Sequence, residues 1–258
     1  MSDYSPFAQL SAGVRFGWAL PAALALSGSA GALVIVDVLS FTTSVTVAAG
    51  RGTAVYPHRW PDPGVEAFAV SRNAVWAVRR DQVSPTHPWS LSPAHLLAAP
   101  APERLVLPSP NGSAIAAGAT AGHIVAGCLR NATAVARWLS EHGFGHPDRP
   151  ATIIAAGERW PGGELRPALE DLLGAGAIIA ALGLQDSLSP EAAAAGAAWR
   201  HQRQDIADVI HRCSSGQELI AAGHAPDIGI AAEHDTQETV PILVAGAFRA
   251  AKATPGSP

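Results

Sequence analysis

The stretch ALVIVDV, residues 32–38, decides the fold class. Its opening residues are apolar without alternation, as in a strand buried on both faces. It ends on Asp37 and is followed by FTTSVTVAAG (41–50), which predicts a helix. The same succession recurs along the chain. Strands are expected at 53–56, 104–108, 123–127, 151–156 and 241–246, with helices at 63–71, 92–99, 112–119, 131–142 and 167–183 between them. The last third reads as mostly helical, at 190–202, 204–213, 215–222 and 226–233. Ser92 before Pro93 is an N-cap followed by a first-turn proline, Asn131 is placed to cap the helix after it, and Ser215 with Glu218 reads as a capping box. This alternation predicts an α/β protein, layered α/β/α, with a mostly parallel or mixed sheet. One domain over residues 1–250 with a frayed tail at 251–258 is expected.

The composition narrows the function. The chain has 258 residues, a net charge of −4, 48% hydrophobic and 15% charged residues. A chain of this length buries roughly 70–75% of its unfolded surface and needs no disulfide or metal staple. The acidic balance argues against nucleic acid as a partner, since phosphates are neutralised by clustered cations. Lys252 is the only lysine, which removes the P-loop. Cys128 and Cys213 form no CxxC pair, which suits a reducing compartment. The apolar segment 18–39 is interrupted by Pro21, the glycines at 28 and 31, and Asp37, so it reads as a short helix (21–28), a turn and a buried strand. A signal peptide and a membrane span are thereby disfavoured, and a cytoplasmic protein is expected.

Ligands of open α/β sheets bind beyond the carboxyl ends of strands. The residues just past each strand are therefore the informative ones. After 32–38 come Asp37, Ser40, Thr42 and Thr43; after 104–108 comes SPNGSA (109–114); after 123–127 comes CLRN (128–131); after 151–156 comes GERWPGGELRPALEDLLGAGA (157–177). Asp37 ends an apolar strand and needs either an arginine or a cation to offset its desolvation. Asn111-Gly112 is either a plain turn or an anion site in which glycine lets backbone amides approach. Thr42 and Thr43 cap a helix or reach a ligand. Of Glu170 and Asp171, at least one lies near the core, because Leu172 and Leu173 come directly after them. Arg159 and Arg166 flank a proline-glycine loop beside carboxylates, which suits a phosphate or sulfonate. GxSxG and HExxH are absent, and His142 and His146 are separated by glycines, so zinc chemistry is disfavoured. The GAG at 174–176 lies within a helix and serves close packing. The stretch 79–92, RRDQVSPTHPWSLS, carries no periodicity; loops of this length are often functional.

The segments VIVDVLSFTTSVTVAAGRG, SPNGSA, GCLRNATAVA, GERWPGGELRPALEDLLGAGAI and SSGQELIAAGHAPDIGIAAEHDTQETVP together resemble the 2-phosphosulfolactate phosphatase family, in the family's order over about residues 32–246. The resemblance implies an α/β fold, a magnesium-dependent phosphatase, and 2-phosphosulfolactate as substrate on the route to coenzyme M. It maps Asp37 onto the family's strand-end aspartate, Asn111 and Gly112 onto its turn, and Asn131 onto its helix-start asparagine. Glu158 and Arg159 fit its GER motif, and Asp171 the acidic residue of its next helix. Ser40 and Phe41 stand where family members commonly carry Arg-Ala, which predicts a broadened or shifted substrate preference unless Arg15, Arg79 or Arg166 supplies the missing cation.

The expected site is therefore specific. Asp37, Glu158 and Asp171 would hold Mg2+ and, with Arg159, carry the chemistry. Thr42, Thr43, Asn111, Gly112, Ser113, Asn131 and Arg166 would bind the substrate, with amides near Gly112 and Ser113 on the phosphoryl oxygens. The competing readings are a non-catalytic small-anion-binding homologue and a different metal-assisted hydrolase. A small anionic phosphorylated substrate is the expected partner, with no nucleic acid and no membrane. A homodimer is expected from apolar helices at the sheet edge.

Overall fold

The computed structural model describes residues 6–27 and 31–251. The expected tail from residue 252 onward, and residues 28–30 of the expected glycine turn, lie outside them. The strands are β1 (Val14–Trp18), β2 (Ala32–Val36), β3 (Ala54–Arg59), β4 (Val75–Trp76), β5 (Arg104–Ser109), β6 (His123–Gly127), β7 (Ala151–Ala155), β8 (Glu158–Arg159), β9 (Leu165–Arg166), β10 (Pro241–Val244) and β11 (Ala247–Ala250). The helices are α1 (Ala19–Ser27), α2 (Phe41–Gly50), α3 (Val65–Ser71), α4 (Pro93–Ala98), α5 (Gly112–Gly118) and α6 (Ala132–Glu141). The later ones are α7 (Leu169–Leu182), α8 (Pro190–Gln202), α9 (Ile206–Arg212), α10 (Ser214–Ala221) and α11 (Ala225–Ala232).

Nine strands form one mixed sheet in the order β1-β7-β2-β6-β10-β11-β3-β5-β4, and β8 and β9 pair as a separate short hairpin. The unalternating β2 sits at the centre because both of its faces are covered. Val34 and Val36 join the apolar cluster with Val135 of α6 and Ile178 of α7, while Leu33 and Ile35 join Leu26 of α1, Val45 of α2 and Ile115 of α5. Successive side chains of a strand point to opposite faces, so a strand between two helical layers must be apolar throughout. The expected layered α/β architecture with a helical last third is what forms. No helix among the described residues is long and apolar enough to cross a membrane.

Two local features tie the layers together. A side chain on Gly174 would meet Val38 and Val36, and one on Gly176 would meet the Ala195 carbonyl at 2.2 Å. The GAG stretch thus seats α7 against both the sheet and α8. Asn131 is fully buried: its Oδ1 accepts from the Cys128 amide (2.9 Å), and its Nδ2 donates to the carbonyls of Thr239 (2.9 Å) and Ala126 (3.3 Å). It clamps the end of β6 to the segment entering β10 instead of capping α6.

The sheet's polarity differs from the expectation of one common carboxyl edge. β1, β7, β2 and β6 are mutually parallel, whereas the β10–β11 hairpin inverts the direction, so β3, β5 and β4 run the opposite way. The loops after β2 and β5 nevertheless meet, because the sheet curls around α2. Leu33 and Ile35 of β2, Val45 of α2, and Leu105 and Leu107 of β5 belong to one cluster. Five steps separate β2 from β5, and a twist of roughly 20–25° per step turns their ends toward a common region.

β1 escaped the sequence reading because VRFGW carries an arginine and a glycine. Arg15 is buried and donates to the Ala12 (3.1 Å) and Leu10 (3.3 Å) carbonyls. Gly17 gives α1 room to fold back, since a Cβ there would lie 2.6 Å from that of Ala22.

Candidate active site

A cavity of about 700 Å³ opens where the loops after β2, β5 and β7 meet α10 and the segment after β4. Asp37, Asn111 and Glu158 are among the residues lining it. The turn carrying Asp37 is closed by hydroxyls. Thr42 Oγ1 accepts from the Asp37 amide and donates to the Asp37 carbonyl (both 2.9 Å), and Thr43 Oγ1 donates to the Val38 carbonyl (2.8 Å). The Asp37 carboxylate is then gripped from two elements. Oδ1 accepts from the Phe41 amide at 3.1 Å and Oδ2 from the Gly112 amide at 3.0 Å. A carboxylate retains lone pairs beyond two such bonds, so Asp37 keeps acceptor capacity toward the cavity.

Three further carboxyls lie close by. Asp171, in the first turn of α7, accepts from the Val38 amide (2.7 Å) and the Gly157 amide (2.8 Å), one on each oxygen. It ties the loop after β2 to the loop after β7. Glu158 accepts from Asn111 Nδ2 at 2.9 Å, which joins the β7 and β5 loops. Glu170 is buried and accepts from the Cys213 thiol at 3.4 Å. Packing Asp37, Glu158 and Asp171 out of water raises their proton affinities. Burial, opposed by the Phe41 and Gly112 amides and reinforced by the charge of Glu170, pushes Asp37 up to about 6. Burial, then the charges of Asp37 and Glu170, pushes Glu158 up to about 8. Asp171 is raised well above the carboxylate range by burial and by the same two neighbours. The cluster is one of mutually repelling acids held in place by backbone amides.

Several expected site residues lie elsewhere. Arg159 is exposed and donates to the Gly163 carbonyl (2.8 Å) within the β8–β9 hairpin; strand alternation turns it outward while its neighbour Glu158 faces inward. Arg166 pairs in register with Glu158 and is buried, but its guanidinium meets Glu218 at 2.8 Å. Thr42 and Thr43 shape the Asp37 turn, and the Gly112 amide is committed to Asp37, so these groups position the acid instead of facing a substrate. Ser113 donates to the Ser109 carbonyl, and Asn131 is the internal clamp described above. Asp171, expected as a metal ligand, does not line the cavity; its two oxygens tie the loops after β2 and β7 together behind it. Among the described residues no three His, Cys, Asp or Glu side chains are arranged to hold an ion by themselves. Asp37 and Glu158 remain as hard oxygen donors facing the cavity.

Other walls come from residues the sequence reading did not name as site residues. Arg80, from the aperiodic stretch 79–92, donates to Ser40 Oγ (2.9 Å) and to Asp227 (3.2 Å). Of the expected substitute cations, Arg79 lines the cavity but pairs with Asp81 at 3.0 Å. Glu218, Ser215 and His224 approach from the C-terminal helices. Ser215 does not cap α10: Cys213 accepts from the Gly216 amide there (3.4 Å), and the buried Ser215 hydroxyl has no hydrogen-bond partner among the described residues. The only advance signal for Arg80 was its place in a long segment without periodicity.

A cavity at strand ends of a layered α/β sheet, acidic on one wall and cationic on another, is an enzyme-type site for a small charged molecule. The 2-phosphosulpholactate phosphatase family profile matches residues 19–246. A protein of Parasynechococcus marenigrum named "Probable 2-phosphosulfolactate phosphatase" is 29% identical over 238 residues, 88% of this chain and 94% of its own length. One of the same name from Thermosynechococcus vestitus is 32% identical over 125 residues, 46% of this chain; that match spans about half of the relative, 48%. The chain belongs to the 2-phosphosulfolactate phosphatase family, a family of phosphoric monoester hydrolases.

The geometry has two testable consequences. A Cβ on Gly112 would lie 2.3 Å from the Phe41 ring and 2.8 Å from Asp37 Oδ2. Gly112→Ala should therefore displace Asp37 and lower kcat at least tenfold while the far-ultraviolet circular dichroism stays that of the wild type; unchanged kcat would show that the amide grip is dispensable. The second consequence concerns pH. Glu158 rises from the ordinary 4.5 to about 8 on folding, so between those values the folded state holds a proton that the unfolded chain has released. Stability from this group is full below about 4.5 and is lost as pH rises through 8. Urea melts of metal-free protein from pH 5 to 8 should show stability falling with pH, and Glu158→Gln should flatten that fall.

Proposed function

We propose that the protein is a magnesium-dependent phosphatase that hydrolyses a small phosphorylated hydroxy acid of the 2-phosphosulfolactate type. The observation that carries this reading is the pair Asp37 and Glu158, which face one cavity with proton affinities raised by burial and then by neighbouring carboxyls, Glu170 for both and Asp37 for Glu158. The donor set fits the ion. Magnesium takes hard oxygen ligands, uses one or two carboxylates, and completes its shell with water and substrate phosphate oxygens. Asp37 and Glu158 would hold it, and the bound ion supplies charge neutralisation on the phosphoryl oxygens. Family membership supports the phosphatase class, and the names of the two relatives support the substrate type.

Phosphoryl transfer depends mostly on positioning and charge stabilisation, with little covalent work for the protein. In the hydrolysis a water oxygen bonds to phosphorus, the ester P–O bond breaks, and the leaving oxygen takes up a proton to become the free hydroxyl. This chain's part is to fix the acids. Asp171 holds the two loops that carry Asp37 and Glu158, the Thr42 and Thr43 hydroxyls set the Asp37 turn, and Asn111 orients Glu158. The curl of the sheet around α2 brings the β5 loop, and with it Asn111 and the Gly112 amide, to the acids.

A phosphate-release screen over 2-phosphosulfolactate, 2-phospholactate and phosphoglycolate, with and without magnesium, tests the reading. Magnesium-dependent release by the wild type, abolished in a folded Asp37→Asn variant, is expected. Release from none of the three esters would refute it, and an Asp37→Asn variant keeping half of wild-type activity would remove Asp37 from the chemistry. Retained ligand binding without turnover would leave an anion-binding protein.

A further inference from the structure

Arg80 enters the cavity from the segment between β4 and α4, apart from the acids at the strand ends. Its side chain is mostly buried, at 20% exposure, and its orientation is set on two sides. Nε donates to Asp227 Oδ2 at 3.2 Å and Nη2 to Ser40 Oγ at 2.9 Å. Asp227, itself 1% exposed on α11, also accepts from the Ser92 hydroxyl and from the Ala94 amide (3.2 Å). Both ends of the 79–92 segment are thus fastened to one carboxylate. A guanidinium carries five N–H donors, and Nη1 of Arg80 has no hydrogen-bond partner among the described residues. The neighbouring cations differ: Arg79 is spent on an exposed pair with Asp81, and Arg166 is held by Glu218. On the C-terminal side of the same cavity lies Ser215, 4% exposed, whose hydroxyl has no partner among the described residues.

Space and charge together indicate what Arg80 meets. A cavity of about 700 Å³ falls in the range of roughly 300–1,000 Å³ typical of whole small molecules, more than a phosphate group needs. Its acid wall calls for a cation and phosphoryl oxygens. Arg80 offers a fixed, planar donor to a second anionic group on the same molecule. The charge on Arg80 also favours the ionised form of Asp37, so the two walls are electrostatically in touch.

We propose that Arg80 is the residue that selects the substrate by its second acid group, a carboxylate on the phosphorylated carbon or a sulfonate on the carbon next to it, with Asp227 as its positioning residue and the Ser215 hydroxyl as an added donor. The proposal rests on the phosphatase reading of the site and adds the specificity element to it. It also accounts for Ser40: that side chain steers the guanidinium that supplies the cation.

Non-hydrolysable ligands separate the proposal from the reading beneath it. Calorimetric affinities would be measured for phosphonoacetate, which carries a carboxylate, and for methylphosphonate, which does not. The wild type should prefer phosphonoacetate by about tenfold to hundredfold, the worth of one desolvated charge-assisted contact. Arg80→Gln should bring the ratio close to one. Arg80→Lys, which keeps charge but loses the fork, and Asp227→Asn should give intermediate ratios. A wild type without preference, or an Arg80→Gln protein that keeps it, overturns the assignment. If no ester is hydrolysed yet the ratio still collapses in Arg80→Gln, the phosphatase reading fails and the anion subsite stands.

Discussion

The grip of two backbone amides on the Asp37 carboxylate is the constraint on which the rest of the site depends. One amide, Phe41, belongs to the helix directly after the same strand; the other, Gly112, opens the helix that follows β5, a strand five places away in the sheet. A carboxylate at that depth would be costly without such donors. The donors are available only if the sheet curls until the β5 loop touches the β2 loop, and only if residue 112 has no side chain. Asp171 repeats the device between the Val38 and Gly157 amides. The acids therefore hold the loops together while the loops hold the acids in place.

This arrangement keeps several like charges near one another inside the protein. The amides offset only part of the desolvation, and it is burial first, then the charges of neighbouring carboxyls, that keeps Asp37 and Glu158 raised. A folded protein retains such a cluster at a cost in stability, and that is the usual mark of a site built for a ligand. On the function proposed above, the compensating ligand would be a divalent cation with a phosphorylated small molecule. Arg80, fixed by Asp227 and Ser40 in the same cavity, gives the site its second pole.

Much of this was legible in the chain. The unalternating run 32–36, the helix at 41–50 and the β-branched segments at 123–127 and 151–155 announce a buried sheet between helices, since their patterns are dictated by burial on both faces. Asp37, Asn111 and Glu158 were legible too, as polar residues closing apolar strands. The features that stayed hidden depend on tertiary geometry. Strand direction is not written in β3 or β5, because the β10–β11 hairpin that inverts it lies more than a hundred residues downstream. Arg159 and Glu158 are adjacent in sequence, yet the two-residue strand β8 sends them to opposite sides. Asn131, Thr42 and Thr43 looked like ligand contacts because their chemistry is equally suited to binding backbone groups, and the backbone is what they bind. Arg80 sat in a segment without periodicity, where nothing marks one arginine above its neighbour. Its partner Asp227 lies 147 residues away.

In the proposed site the carboxylates of Asp37 and Glu158 jointly hold a divalent cation against a phosphoryl group. Anomalous diffraction from crystals grown with manganese in place of magnesium, together with phosphonoacetate, measures it most directly. One anomalous peak is expected within ligand distance of both carboxylates, with the phosphonate on the same ion. A peak elsewhere, or a phosphonate bound in the cavity with no ion on Asp37 and Glu158, would contradict it.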